Sequence, residues 1–140
     1  MSGFDIDVLD VATGADEGAT MQLTHPKTAE VLRDSDGNPV TMTLFGMNSE
    51  RVRTLARAQQ QRRLDAMKRG KRGMNPDELE ADNVDILTAA TGGWSFDTLG
   101  GQPFPYSEAN ARKLYSDPRF KSIRQQVDQF IADDGNFMKG

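Results

Sequence analysis

Between Ser49 and Arg72 the chain carries nine basic residues, Arg51 the first and Arg72 the last, against only Glu50 and Asp65. The segment has a charge of +7 in a protein of net charge −4, so the remainder sums to −11. So many cations cannot be buried together, because each loses its hydration unless an anion compensates it. The segment is also rich in Arg, Gln, Ala and Leu, which are good helix formers. It therefore predicts a helix from about residue 49 to Arg69, capped by Asn48 or Ser49. On a helical wheel Leu55, Ala56, Ala66 and Met67 fall within about 60° of Val52. Gln59 and Arg63 occupy the middle of that stripe, so the apolar face is narrow and interrupted, with bases on both flanks. Such a helix projects from its domain or meets another chain.

The rest of the 140 residues reads as one α+β domain: a small N-terminal antiparallel β-hairpin or meander, then a mainly helical part, with four helices in all. Residues 1–19 read as an acidic flexible arm, with a charge of −5 over the first twenty residues. Residues 20–46 read as the hairpin or meander. Turn clusters at His25-Pro26-Lys27-Thr28 and Asp34-Ser35-Asp36-Gly37-Asn38 separate its strands, and Val40 to Phe45 alternates as a half-buried strand does. Residues 47–73 are the basic helix and the break Gly70-Lys71-Arg72-Gly73. Residues 74–140 form the helical core region. There Asn75-Pro76-Asp77-Glu78 is a helix start, and Gly92-Gly93 is expected to end that helix. Pro103 to Tyr106 is extended. Ser107 and Asp117-Pro118 open two more helices, and residues 136–140 form a tail. Eight of the ten aromatic residues lie after Gly93. The expected core is accordingly C-terminal: Leu79, Ile86, Leu87, Trp94, Phe96, Phe104, Tyr106, Leu114, Tyr115, Phe120, Ile123, Val127, Phe130 and Ile131.

Catalytic chemistry has little to work with. The absence of cysteine removes thiol nucleophiles, disulfides and Cys-based metal sites. The single histidine, His25, sits beside Pro26 and reads as a turn residue. Asp77, Glu78, Glu80, Asp82 and Asp85 read as a solvated, dipole-matched helix start before they read as a metal cluster. Asp34-Ser35-Asp36-Gly37 resembles a calcium loop, but position twelve is Phe45 where a bidentate Glu is needed. No phosphate-binding or nucleophile-elbow motif is present, so neither cofactor nor metal is expected. Apolar residues make up 36%, and no run approaches the roughly 20 that a membrane helix needs. The acidic start lacks the basic end and apolar stretch of a signal peptide. With no cysteine, this fits a reducing cytoplasm. Nucleic acid is a weak candidate partner for the basic helix, since the rest of the chain is acidic and no aromatic residue interleaves the bases.

Several stretches resemble the tail assembly chaperones of long-tailed bacteriophages and prophages. They are Met21 to Thr28, Asp36 to Thr41, the Arg/Gln-rich helix after Asn48-Ser49, Ala89 to Ser95, Pro105 to Ala111, Leu114-Tyr115, and Phe120 to Phe137 with Arg124-Gln125-Gln126-Val127-Asp128. The likeness spans roughly residues 20–137 and rests on ordinary residues with no chemical signature. It implies a non-enzymatic protein of the host cytoplasm, absent from the finished virion. Such a protein coats the tape-measure protein, helps recruit tail-tube subunits and can self-associate. The partner-binding residues expected on this reading are Arg51, Val52, Leu55, Arg57, Gln59, Arg62 and Arg63 on the basic helix, with Trp94 beyond it. A structural virion component (a connector or tail-associated protein) is the alternative. A nucleic-acid-binding regulator acting through residues 49–72 is the third reading.

Overall fold

The computed structural model describes residues 2–70 and 75–138. It has an α+β architecture in which one small antiparallel sheet is backed by helices. Strand β1 (Ala19–Gln22) pairs with β2 (Thr41–Leu44), Met21 opposite Met42. Met21, Met42 and Leu44 point inward and are buried, as the alternation requires. Between the two strands the chain makes an excursion rather than a tight turn. Leu23, Leu32 and Val40 hold it by exchanging backbone bonds: Leu32 N donates to Leu23 O, Val40 N to Leu32 O and Leu23 N to Val40 O.

The third strand is not in the N-terminal segment. It is β3 (Thr91–Trp94), which pairs with β2, Thr43 opposite Gly93. The expected role of Gly92-Gly93 as a helix end is therefore corrected. Helix α3 (Pro76–Ala89) stops at a cap on Ala90, and the glycines belong to the sheet. The reason is steric: a Cβ on Gly92 would lie 2.6 Å from the Phe45 ring, so only glycine lets that ring cover the strand. The pairing register shifts there, between Thr43 and Leu44. Strands β4 (Thr98–Leu99) and β5 (Gln102–Pro103) form a separate hairpin around Gly100-Gly101. Both glycines have positive φ (+59° and +79°), as a two-residue turn of this twist demands.

Four of the five α-helices among the described residues match those expected: α2 (Glu50–Lys68), α3, α4 (Glu108–Ser116) and α5 (Lys121–Ala132). The Asn75 side chain accepts from Glu78 N at 2.8 Å, Ser107 Oγ from Asn110 N, and Asp117 from Arg119 N. The fifth, α1 (Thr13–Glu17), falls inside the expected arm, and its Ala15 is buried. Of the break at 70–73, residues 71–73 lie outside the described residues.

The core is not confined to the C-terminal half. Met21, Leu23, Met42, Leu44 and Val52 join Leu87, Leu114, Tyr115, Val127 and Ile131 in it. Leu79 is exposed, as are the residues before it in the first turn of α3. Phe137, expected in a tail, is buried edge-on to Phe130 and beside Gly14, whose missing side chain leaves room for its backbone. Each buried aliphatic or aromatic side chain contributes roughly 1.5–3 kcal/mol, so this shared core ties the sheet to the helices.

Candidate interaction surface

Helix α2 begins with borrowed chemistry. Ser49 takes an extended cap conformation, but its Oγ donates back to Gly46 O at 2.6 Å and caps nothing. The Glu50 N–H is taken instead by Asp16 Oδ1 of α1, at 2.6 Å, so an acid from another helix meets the positive end of this one. Arg51 lays its guanidinium 3.6 Å from the centroid of the Phe45 ring. Val52, one position on, is fully buried.

The interruption of the apolar stripe has a structural cause on α3. Buried Gln59 donates from Nε2 to Asp82 O at 3.0 Å. Arg62 pairs with Asp82 Oδ1, and Arg63 Nη2 lies 3.3 Å from Oδ2. Asp82 is itself buried, so the expectation that this residue belongs to a solvated cluster is corrected. Its neighbours are partly engaged too: Glu80 pairs with Arg124 and Asp85 with Arg112. Hydrogen bonding and charge from Asp82 raise the Arg62 pKa above its ordinary value. Arg124 holds the Glu80 carboxyl below the usual range, chiefly by hydrogen bonding.

The residues expected to bind a partner therefore divide. Val52 and Gln59 are buried within the chain and offer no surface, a correction with a plain cause: the core takes one and the Asp82 carbonyl the other. Leu55 is half-buried. Arg62 and Arg63 are tied to Asp82, and Arg51 to Phe45. Arg57 is exposed, bonding only weakly to Arg53 O at 3.4 Å. Trp94 is half-buried in a stack with Phe96 and Phe104, at centroid distances of 5.0 and 5.6 Å, and its Nε1 donates to Phe104 O.

A different face of α2 remains outward. Arg53, Arg57, Leu64, Met67 and Lys68 fall within about 100° of one another at 100° per residue. All five are exposed, and no acid interrupts the face from Arg53 to Lys68. Sequence reasoning placed Met67 in the inner stripe and passed over Leu64. The usable signal was the wheel angle, which sets Leu64 about 120° from Val52. A cleft of about 570 Å³ lies among Leu23, Leu32, Val40, Phe96, Leu99 and Ile123. At its rim Asp34 Oδ1 accepts from Asp36 N and Asn38 N, which makes it a turn residue. His25 is exposed and caps its own turn, accepting at Nδ1 from Lys27 N and Thr28 N. No helix among the described residues is long and apolar enough to cross a membrane. No family model, curated protein or solved structure matches the chain.

Proposed function

We propose that this protein is a non-enzymatic tail assembly chaperone. On this reading it binds the tape-measure protein in the host cytoplasm, helps bring in tail-tube subunits and leaves before the virion is complete. The observation that carries the reading is the outer face of α2: three cations, Arg53, Arg57 and Lys68, share it with two exposed apolar side chains, Leu64 and Met67. A tape measure is a long helical chain with apolar faces. A surface that holds it reversibly needs modest apolar area and charge for steering, not a deep pocket. The resemblance over residues 20–137 supplies the biological context.

Co-expression with the tape-measure protein of the same genome tests this. The expected outcome is a rise in soluble tape measure and co-purification of the two chains. Insoluble tape measure with no co-purification overturns it. Stoichiometric presence of this protein in purified particles favours the structural-component reading instead. The same cationic face favours nucleic acid as a second reading. That reading predicts DNA or RNA binding that weakens steeply with salt, and it fails if neither binds at low salt.

A further inference from the structure

We propose that the cleft between two hairpins, the turn from Arg33 to Pro39 and the β4–β5 pair, binds an extended segment of another protein. In that segment apolar side chains alternate with lysine or arginine. Among the described residues none of α2 lines the cleft, so the inference does not rest on the tail-assembly reading. The cleft, of about 570 Å³, is lined by Leu32, Val40, Phe96, Leu99 and Ile123, all half-buried, together with buried Leu23. Its volume falls in the range of about 300–1,000 Å³ usual for binding clefts. The half-buried side chains keep apolar area in water that an occupant would remove.

Two observations choose the occupant. The first is in the backbone. Thr98 stands opposite Pro103, and Arg33 opposite Pro39. Proline has no N–H, so neither pair can exchange hydrogen bonds. The flanking residues make them instead: Phe104 N donates to Asp97 O, Asp34 N to Asn38 O and Val40 N to Leu32 O. In an antiparallel ladder the N–H and C=O of such a non-bonded residue turn away from its partner strand. Thr98 and Arg33 both line the cleft, one from each hairpin, and both are exposed. Each therefore offers a donor and an acceptor on its hairpin's outer edge, the groups with which an added extended chain pairs.

The second observation is charge. Asp36 and Asp97 are exposed at the cleft, and neither carboxylate has an ion pair or hydrogen bond among the described residues. Asp34 accepts from Asp36 N and Asn38 N, and Arg33 donates from Nη1 to Gly37 O at 3.0 Å. Three acids against one base leave the lining at −2. That charge repels an acidic peptide or a nucleic acid and attracts a cationic segment. Successive side chains of an extended segment face opposite ways. The apolar ones meet the apolar lining, and the long cationic ones between them reach Asp36 and Asp97.

Amide NMR of the isotope-labelled full chain tests this with two synthetic peptides, acetyl-KVKLKV-amide and its acidic counterpart acetyl-EVELEV-amide. The basic peptide should shift amides within residues 32–40 and 95–99 with a Kd below about 1 mM, and should slow exchange at Arg33 and Thr98. The acidic peptide should bind at least about tenfold more weakly. Asp36→Lys/Asp97→Lys should reverse that preference. Circular dichroism matching the wild type shows that the variant folds. If it does not, the milder Asp36→Asn/Asp97→Asn should abolish the preference without reversing it. No shift at about 1 mM basic peptide, equal binding of the two peptides, or shifts confined to α2 would each overturn the proposal. Shifts over 32–40 and 95–99 on concentrating the protein without peptide would do the same, because they make the occupant a second copy.

Discussion

Helix α3 is held on two sides by unlike chemistry. Toward the sheet, α4 and α5, it presents Val84, Leu87 and Ala90 to an apolar core that includes Leu44, Leu114 and Val127. Toward α2 it presents Asp82, whose carboxylate and carbonyl take Arg62, Arg63 and Gln59. The first contact draws on many side chains leaving water at once, and it is lost only when the domain unfolds. The second depends on one acid, on the buried Gln59 amide and on two half-solvated arginines (Arg62 is 57% exposed). Beyond Val52, then, α2 is fastened by a polar pin and not by a core. Its outer half is therefore more easily released than α3, and it carries the exposed face proposed as a contact surface.

The largest expected effect lies on the apolar side. Leu87→Ala should cost about 2–5 kcal/mol and lower the denaturant midpoint of the whole domain, reported alike by helix and aromatic probes. Asp82→Asn keeps the shape and removes the charge. It should cost about 1–3 kcal/mol, seen as faster amide exchange over residues 58–68 with residues 84–90 unchanged. Equal loss in both segments would erase the distinction between the two sides.

A third test reaches a polar pair inside the apolar region. Thr91 Oγ1 donates to Leu87 O and meets the Tyr115 hydroxyl at 2.6 Å, both buried. Burial pushes the Tyr115 phenol above its ordinary value. The unfolded chain then ionises first, so this contribution is complete below about pH 10 and is lost as pH rises beyond it. Tyr115→Phe should cost about 1 kcal/mol at neutral pH and should flatten that alkaline loss in a pH series of melting temperatures.

The smallest effect belongs to Glu80. Its depressed carboxyl stabilises the fold above about pH 4.3 and loses that contribution as pH falls below it. Glu80→Gln should reduce the acid dependence slightly and leave the neutral-pH midpoint almost in place.

What could be read from the chain alone was local. The spacing of Phe120, Ile123, Val127, Phe130 and Ile131 placed α5, and Asn75-Pro76 placed the start of α3, because those signals lie within a turn or two. Strand β3 was hidden because its partner Thr43 is fifty residues from Gly93 and its two glycines imitate a helix end. At the candidate surface the stripe of α2 was legible, including Gln59 and Arg63 as its interruption. The answering group, Asp82, was not, since nothing in a row of exposed-looking acids marks the one that another helix will cover. Ala15 and Phe137 were missed for the same reason: each is buried by the other end of the chain.

The most direct test of the outer α2 face is amide exchange on the complex that co-purifies with the tape-measure protein, compared with the free protein. Slowed exchange over residues 53–68, with residues 84–94 unaltered, is the expected result. Unchanged exchange over 53–68 in a stoichiometric complex would contradict the assignment of that face as the contact surface.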